Sequence, residues 1–432
     1  MRVQLLLLIQ FAAACVCLAG SPPGDELNQR LPSWIKLSGE FRFRGESDHG
    51  LRFRDASDSH GLGRIRLGVT IAPAKWLSFD GEAQDSRIFF NSQLAPVPPY
   101  QNTWDIRQAS VTLRDPDRQW IELKVGRQVL RFGKEWLIGP SNWLNMGRTF
   151  DAVRLDIHHS GYRVSLFASS VIIARDGVVD HHLAGNNLHG IYTTFDKLIP
   201  GAVFEPYVLW RVAPANVHLN ENAGRGALNE VTAGLRWAGN LPSHFDYELE
   251  MDRQMGSLGP DSIRSWAGHW NVGRAFQRSG GSVRPFAEVN YASGTRDPDS
   301  RSWGTFDPIY PSSHDKLGFA DQIGWRNIRQ LRTGVNETIK KRWNLKQTYE
   351  SFWLASLRDG LYATSGAVLV PPPAFVPPRH VAQEIDLVST FRWSESLTLG
   401  FGYAHIFSGA FLKRTISARD FDYPYAFATY TF

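Results

Sequence analysis

The side chains best suited to do chemistry in this sequence are arginines, and they recur two residues apart. "EFRFR" carries Arg42 and Arg44, and "GRIRL" carries Arg64 and Arg66. Lys36, Lys124, Arg154, Arg236, Arg284, Arg332 and Arg392 alternate with apolar neighbours in the same way. A guanidinium is permanently charged, and its planar fork offers a carboxylate two parallel hydrogen bonds. A set of such groups on one surface attracts and selects anions. Acids are interleaved on the same parity: Glu40, Asp80, Glu82, Glu122, Asp156, Asp246, Glu248, Glu250, Glu384 and Asp386. They would stop a bound polyanion from stalling. Opposite charges on neighbouring strands also brace a polar surface without selecting anything. Selection therefore belongs to the set, not to one residue.

Other chemistry has weaker support. His158, His159, His181, His182 and His314 are the candidate acid–base groups, but no G-x-S-x-G or H-E-x-x-H occurs. No enzyme activity is expected; an outer-membrane hydrolase and a closed structural barrel are the minor readings. Asp307, Asp315 and Asp321 lie in "GTFDPIYPSSHDKLGFADQ" without calcium-loop spacing, so no metal or cofactor is expected. That loop is too long for a passive connection. It is expected to fold over or into whatever the strands enclose, as a gate or plug. A formal net charge of +5 does not call for a nucleic-acid partner.

The elements that carry these residues are strands. "WIKLSGEFRFR" sets Ile35, Leu37, Gly39, Phe41 and Phe43 against Lys36, Ser38, Glu40, Arg42 and Arg44, a strict period of two. "RIRLGVTI", "WIELKVG", "AVRLDIH", "EVTAGLRWAG", "HFDYELEMD" and "SLTLGFGYAHIF" repeat it. About eighteen such segments can be counted, with sixteen the other count the spacing allows. No helical period of useful length appears. Tight turns such as "APAK", "HHSG" and "RWSES" alternate with long connections over 45–60, 87–102, 130–150, 213–229, 294–327 and 358–380. Short turns on one side and long loops on the other describe a transmembrane antiparallel β-barrel. Its apolar face meets lipid and its charged face lines the lumen. Trp34, Trp76, Trp104, Trp120, Trp237 and Trp393 fall near strand ends, where interfacial girdles lie. A soluble sandwich also alternates, but its strands are shorter and it would not set fixed charge on strand after strand.

The N-terminus reads as a signal peptide over 1–20: an apolar run, small residues near Ala19 and Gly20, then polar "GSPPGDE". Residues 21–432 would be the barrel. Cys15 and Cys17 are the chain's only cysteines, so the exported part would hold no disulfide. The mean hydropathy of −0.28 and the lack of a long apolar run exclude a helical membrane protein. The last segment, "YAFATYTF", ends on Phe432 with Tyr430, Ala428 and Ala426 on its parity. This reads as the strand that closes the cylinder, with a terminal aromatic for the outer-membrane assembly machinery.

Three stretches resemble a known family. They are "WDIRQASVTL…ELKVGRQVLRFGKEWLIGPSNWLNMGRTFDAVRLD" at 104–156, "WGTFDPIYPSSHDKLGFADQIGWRNI" at 303–328, and "RHVAQEIDLVSTFRW…LGFGYAHIFSGAFLKRT" at 379–415. Together they resemble the alginate-export family of outer-membrane barrels. The resemblance implies a monomeric barrel of eighteen strands in the bacterial outer membrane, surrounded by lipid and lipopolysaccharide. It implies an electropositive lumen passing an anionic polysaccharide or small anionic solutes, with uptake of small solutes as the alternative. It adds Arg107, Arg127 and Arg148 as constriction residues. "IRQASVTL" breaks its own parity, which points to a bulge there. Ala410 stands where the family's "F-x-G-x-F" stretch would carry an acid, so that position supplies none.

Overall fold

The computed structural model describes residues 23–117, 120–215 and 226–432. The signal peptide read at 1–20 lies outside the described residues. The rest forms one antiparallel barrel of 18 strands. In chain order these are β1 (Ile35–His49), β2 (Ser57–Ala74), β3 (Leu77–Phe89), β4 (Asn102–Arg114), β5 (Ile121–Gln128) and β6 (Phe150–His159). Next come β7 (Tyr162–Ile173), β8 (His181–Ile199), β9 (Ala202–Ala213), β10 (Leu228–Leu241), β11 (Phe245–Leu258) and β12 (Asp261–Arg274). The circuit ends with β13 (Gly281–Ala292), β14 (Ile328–Ile339), β15 (Trp343–Leu354), β16 (His380–Arg392), β17 (Leu397–Ser408) and β18 (Phe421–Thr431). Each strand pairs with the next, and β1 pairs with β18, so no edge is left open. Closure satisfies the backbone internally, as hydrocarbon demands.

Alternation decides the two faces. Along β2, Ile65 and Leu67 are exposed outward while Arg64 and Arg66 are buried in the lumen. Trp34, Trp76, Trp120 and Trp393 are exposed beside the short turns, and Trp104 is exposed toward the other rim. Trp237 is half-buried within β10, edge-on to Tyr247.

The read connection over 45–60 is mostly strand. β1 runs to His49 and β2 starts at Ser57. Glu46, Asp48, Asp58 and His60 face inward there, while Ser47 and Ser59 bond to each other on the outer side. With polar residues on both faces, no apolar alternation reveals the strand. Two short helices also form, α1 (Pro23–Arg30) and α2 (Ala410–Ile416), too brief to show a period. Ala410 begins α2 and lies beyond the end of β17. Asn28 of α1 bonds the backbone of Leu37 in both directions, at 2.9 and 2.7 Å. It continues the seam where β18 runs out. Phe432 completes the ladder there, exchanging backbone bonds with Gly39 at 3.1 and 3.2 Å.

The apolar core sits inside the barrel. It is built by two long loops, 129–149 and 293–327, that turn inward. Leu130, Trp136, Ile138, Phe306, Phe319, Ile323 and Trp325 of these loops pack with Phe167, Leu188 and Leu209 of the wall. The loops join through a bridge between Ile138 and Tyr310. Backbone bonds link Gly139 to Tyr310 at 3.0 Å and Ser312 to Glu135 at 3.0 Å.

Candidate functional site

Five arginines from β1, β2 and β4 converge on one wall of the lumen. Arg42, Arg44, Arg64, Arg66 and Arg107 are between 2% and 7% exposed, so none opens to bulk solvent. The first four reach it by strict alternation. Arg107 reaches it by a bulge: Glu82 pairs with Gln108 and Ala83 with Ile106, so Arg107 is skipped in the register. The extra residue re-aims its side chain inward, as the broken parity of the sequence suggests.

Three of these arginines chiefly hold backbone, while Arg66 also bonds Gln84 Oε1 at 2.6 Å and Arg107 bonds side chains. Arg42 donates to the carbonyls of Asn142 and Trp143 at 2.9 and 3.1 Å. Arg44 donates to Trp143 O at 2.7 Å and its guanidinium lies 3.8 Å from the Trp143 ring. Arg64 donates to Asn142 O and Leu144 O at 2.9 and 3.0 Å. Arg66 reaches Met146 O at 3.3 Å and Arg107 reaches Asn142 Oδ1 at 3.4 Å. The Asn142–Met146 segment therefore hangs from a fan of guanidinium groups. Arg64 pairs with Glu40 at 2.6 Å, Arg107 with Glu82 at 2.5 Å, and Arg44 with Glu46. Asp48 and Asp58 also face inward on β1 and β2, so five acids stand on this wall beside the five arginines.

The second inward loop is gripped from the opposite side. Asp307 takes Arg211 at 2.6 Å and Arg326 at 2.5 Å. Arg332 bonds Asp315 O at 2.7 Å, and Ala320 N donates to Glu384 at 2.9 Å. Burial pushes the Asp315 carboxyl up, but Lys316, Lys346 and Arg332 outweigh it and hold the group well below the usual carboxylate range. His314 of this loop stacks on Trp143 at 3.9 Å and bonds Asp321 at 2.7 Å. The three loop acids are thus spread over separate partners. Among the described residues no group of metal-ligating side chains gathers.

The wall behind this loop is richer in acids. Glu205, Glu230, Glu250, Asp252, Glu288, Glu350, Glu384 and Asp386 are buried there with Arg211, Arg236 and Arg332. Arg236 pairs with Glu205 at 2.6 Å and Glu248 at 2.9 Å, and Arg332 with Glu350 at 2.8 Å. The arginine fan on β1–β4 therefore stands across from a wall on β9–β16 where buried acids outnumber arginines. Sequence parity places Glu248, Glu250, Glu384 and Asp386 on the polar face, and Glu205, Glu230, Glu288 and Glu350 join them by the same alternation.

The other candidates fall elsewhere. Lys124 pairs with Asp80 at 3.2 Å, and Arg154 with Asp156 at 2.7 Å, both nearer the short turns and away from the arginine fan. Arg148 lies in the inward loop and joins it to the other, donating to Gly139 O at 3.2 Å and Pro311 O at 2.9 Å. Arg127 is a correction. It pairs in register with the exposed Ala109 and with Asp151, on the outer face rather than at a constriction. The parity that sends Ile121, Leu123 and Val125 toward lipid carries Arg127 outward as well. There it bonds Asp151 at 3.0 Å, beside His182. The sequence did not single out Asn142–Met146 as the arginines' partner.

A closed barrel with lipid-facing aliphatic rows, aromatic rims and a charged, loop-filled lumen defines an outer-membrane channel protein. Its fold is that of outer-membrane porins. The model of the alginate export family matches residues 33–424, and the chain belongs to that family. Among solved structures it is similar to Pseudomonas aeruginosa OccK11 (OpdR), at 12% identity over 92% of this chain and 95% of that one, with a TM-score of 0.57. OccK5 (OpdH) of the same organism is 10% identical over 92% and 98%, with a TM-score of 0.60. Acinetobacter baumannii OccAB2 is 11% identical over 93% and 99%, with a TM-score of 0.63. At these identities the likeness concerns the fold. No curated protein matches the chain.

Proposed function

We propose that this outer-membrane channel passes anionic, carboxylate-bearing solutes along the arginine wall, an alginate-like polysaccharide being the solute class its family suggests. One observation carries the reading. The guanidinium forks of Arg42, Arg44 and Arg64 hold neutral carbonyls of the 129–149 loop. A carboxylate is a stronger partner for such a fork than a carbonyl. A passing anion therefore competes with the loop for the same donors. Permanently charged guanidinium groups that can exchange a carbonyl for a carboxylate favour anions over cations.

A second reading is uptake of small anions, and the filled lumen favours it. The two inward loops bond to walls on both sides, which leaves a polymer less room than the bare cylinder would. Single-channel recording in planar bilayers under a salt gradient tests both. Anion preference is expected, with block by oligouronates if the solute is a polymer and by small dicarboxylates alone if it is not. Cation preference would sink both. We also infer a cleaved signal peptide at 1–20, a monomer, and Phe432 as the residue read by the assembly machinery.

A further inference from the structure

On the outside of the barrel, at the long-loop end of the seam between β1 and β18, lies a polar groove of about 540 Å³. Its floor is His49, Ser57 and Asp422. All three face outward: His49 pairs with both Ser57 and Asp422 on the parity opposite the lumenal Asp48 and Asp58. Its walls come from the 50–56 loop, with Arg54, and from the end of α2 and the connection to β18, with Lys413 and Arg419.

The groove is built rather than incidental. Phe53 is buried beneath it, edge-on to Phe421, with Phe411 and Leu412 fully buried alongside. Arg419 N donates to Phe53 O at 2.9 Å, which ties the two loops together. Gly50 has φ +87°, and a Cβ there would strike Asp420 O, so the loops touch as closely as backbone allows. The acids around the groove already have partners. Asp420 accepts Ser408 N at 2.8 Å, and Asp422 accepts His405 and the Tyr403 hydroxyl at 2.8 and 2.5 Å. Asp55 lies 3.7 Å from Arg419. Among the described residues, no carboxylate forms an ion pair with Arg54 or Lys413.

Depth supplies the second argument. Farther toward the short turns the outer face of β2 is aliphatic, with Ile65 and Leu67 exposed. Outward-facing charge near the seam begins with the His405–Asp422 pair, beside exposed Tyr403 and Phe407. That is the transition from acyl chains to headgroups in the outer leaflet. Three cations stand in the groove beside three acids that are already engaged. At that height Arg54 and Lys413, without an ion pair among the described residues, fit the phosphate of a membrane lipid.

We propose that Arg54, Lys413 and Arg419 bind the phosphorylated headgroup of an outer-leaflet glycolipid at the barrel's closing seam. The chemistry recognised is a phosphate on a sugar. The acyl chains lie along the aliphatic outer rows below it.

The test uses the full-length purified protein in detergent and native mass spectrometry. The probes are a diphosphorylated acyl-diglucosamine, its dephosphorylated form, and inorganic phosphate. Wild type should retain the diphosphorylated lipid, and R54A/K413A/R419A should bind it at least about tenfold more weakly. R54K/R419K should bind nearly as well as wild type. Heat-modifiable mobility on gels reports whether the variants keep the barrel. If the triple variant does not fold, K413A alone should still show a measurable loss. Equal retention by wild type and variant, or equal binding of the dephosphorylated lipid, would overturn the proposal. Full competition by inorganic phosphate at equal concentration would make this a free-phosphate site and would overturn it too.

Discussion

Replacing Arg42 and Arg64 together by alanine removes both side chains that hold the Asn142 carbonyl, at 2.9 Å each. Leu144 O loses its 3.0 Å donor as well, while Trp143 O keeps Arg44 at 2.7 Å. Two buried carbonyls are left without a strong donor, at about 1–3 kcal/mol each. The loop recovers this by undocking into water. The docked state should therefore weaken by about 2 kcal/mol at the low end, or about 30-fold in the equilibrium. The same change removes two of the five guanidinium groups on this wall. Single-channel recordings should show longer or more frequent open intervals. The reversal potential in a potassium chloride gradient should move from anion preference toward none. R42K/R64K separates the two effects: charge persists but the planar fork is lost, so selectivity should survive while gating changes. Unchanged dwell times and reversal potential in the alanine variant would refute both the clamp and its selective role.

Trp143 stacks between His314 at 3.9 Å and Arg44 at 3.8 Å. W143A should loosen the contact between the two inward loops by about 1–2 kcal/mol, seen as faster hydrogen exchange across 129–149, and protection equal to wild type would count against it. D307N removes the charge shared by Arg211 and Arg326; breaking such a buried pairing costs about 3–5 kcal/mol, so protease access to the 293–327 loop should rise sharply. Asp315 is held below the usual carboxylate range by Lys316, Lys346 and Arg332. A depressed pKa contributes stability that is complete above the unfolded value, near about pH 4, and is lost as pH falls further. Acidifying from pH 7 to about pH 3 should begin to free the loop, and D315N should reduce that acid response in conductance. In F432A the ring that covers Gly39 is lost, and the fraction of heat-modifiable barrel in outer membranes should fall.

Much of the barrel was legible because a strand between lipid and water must alternate. Arg42 and Arg64 were assigned to the lumen by parity, and the broken parity of "IRQASVTL" marked the bulge that turns Arg107 inward. The 45–60 stretch was misread because Ser47, Ser59, Glu46 and Asp58 are polar on both faces. Arg127 lies on the outer face because it shares the parity of Ile121, Leu123 and Val125, which the family resemblance does not convey.

The sequence by itself determined the period, the lumenal face, the class of protein and the seam strand ending at Phe432, since each rests on local alternation. Tertiary structure decided what fills the cylinder. That the Asn142–Met146 carbonyls meet the arginines, that Asp307 finds Arg211 nearly a hundred residues away in the chain, and that the arginine fan stands across from an acid-rich wall all depend on closure. Closure brings distant loops into a confined space where each buried charge must find whichever partner lies within reach.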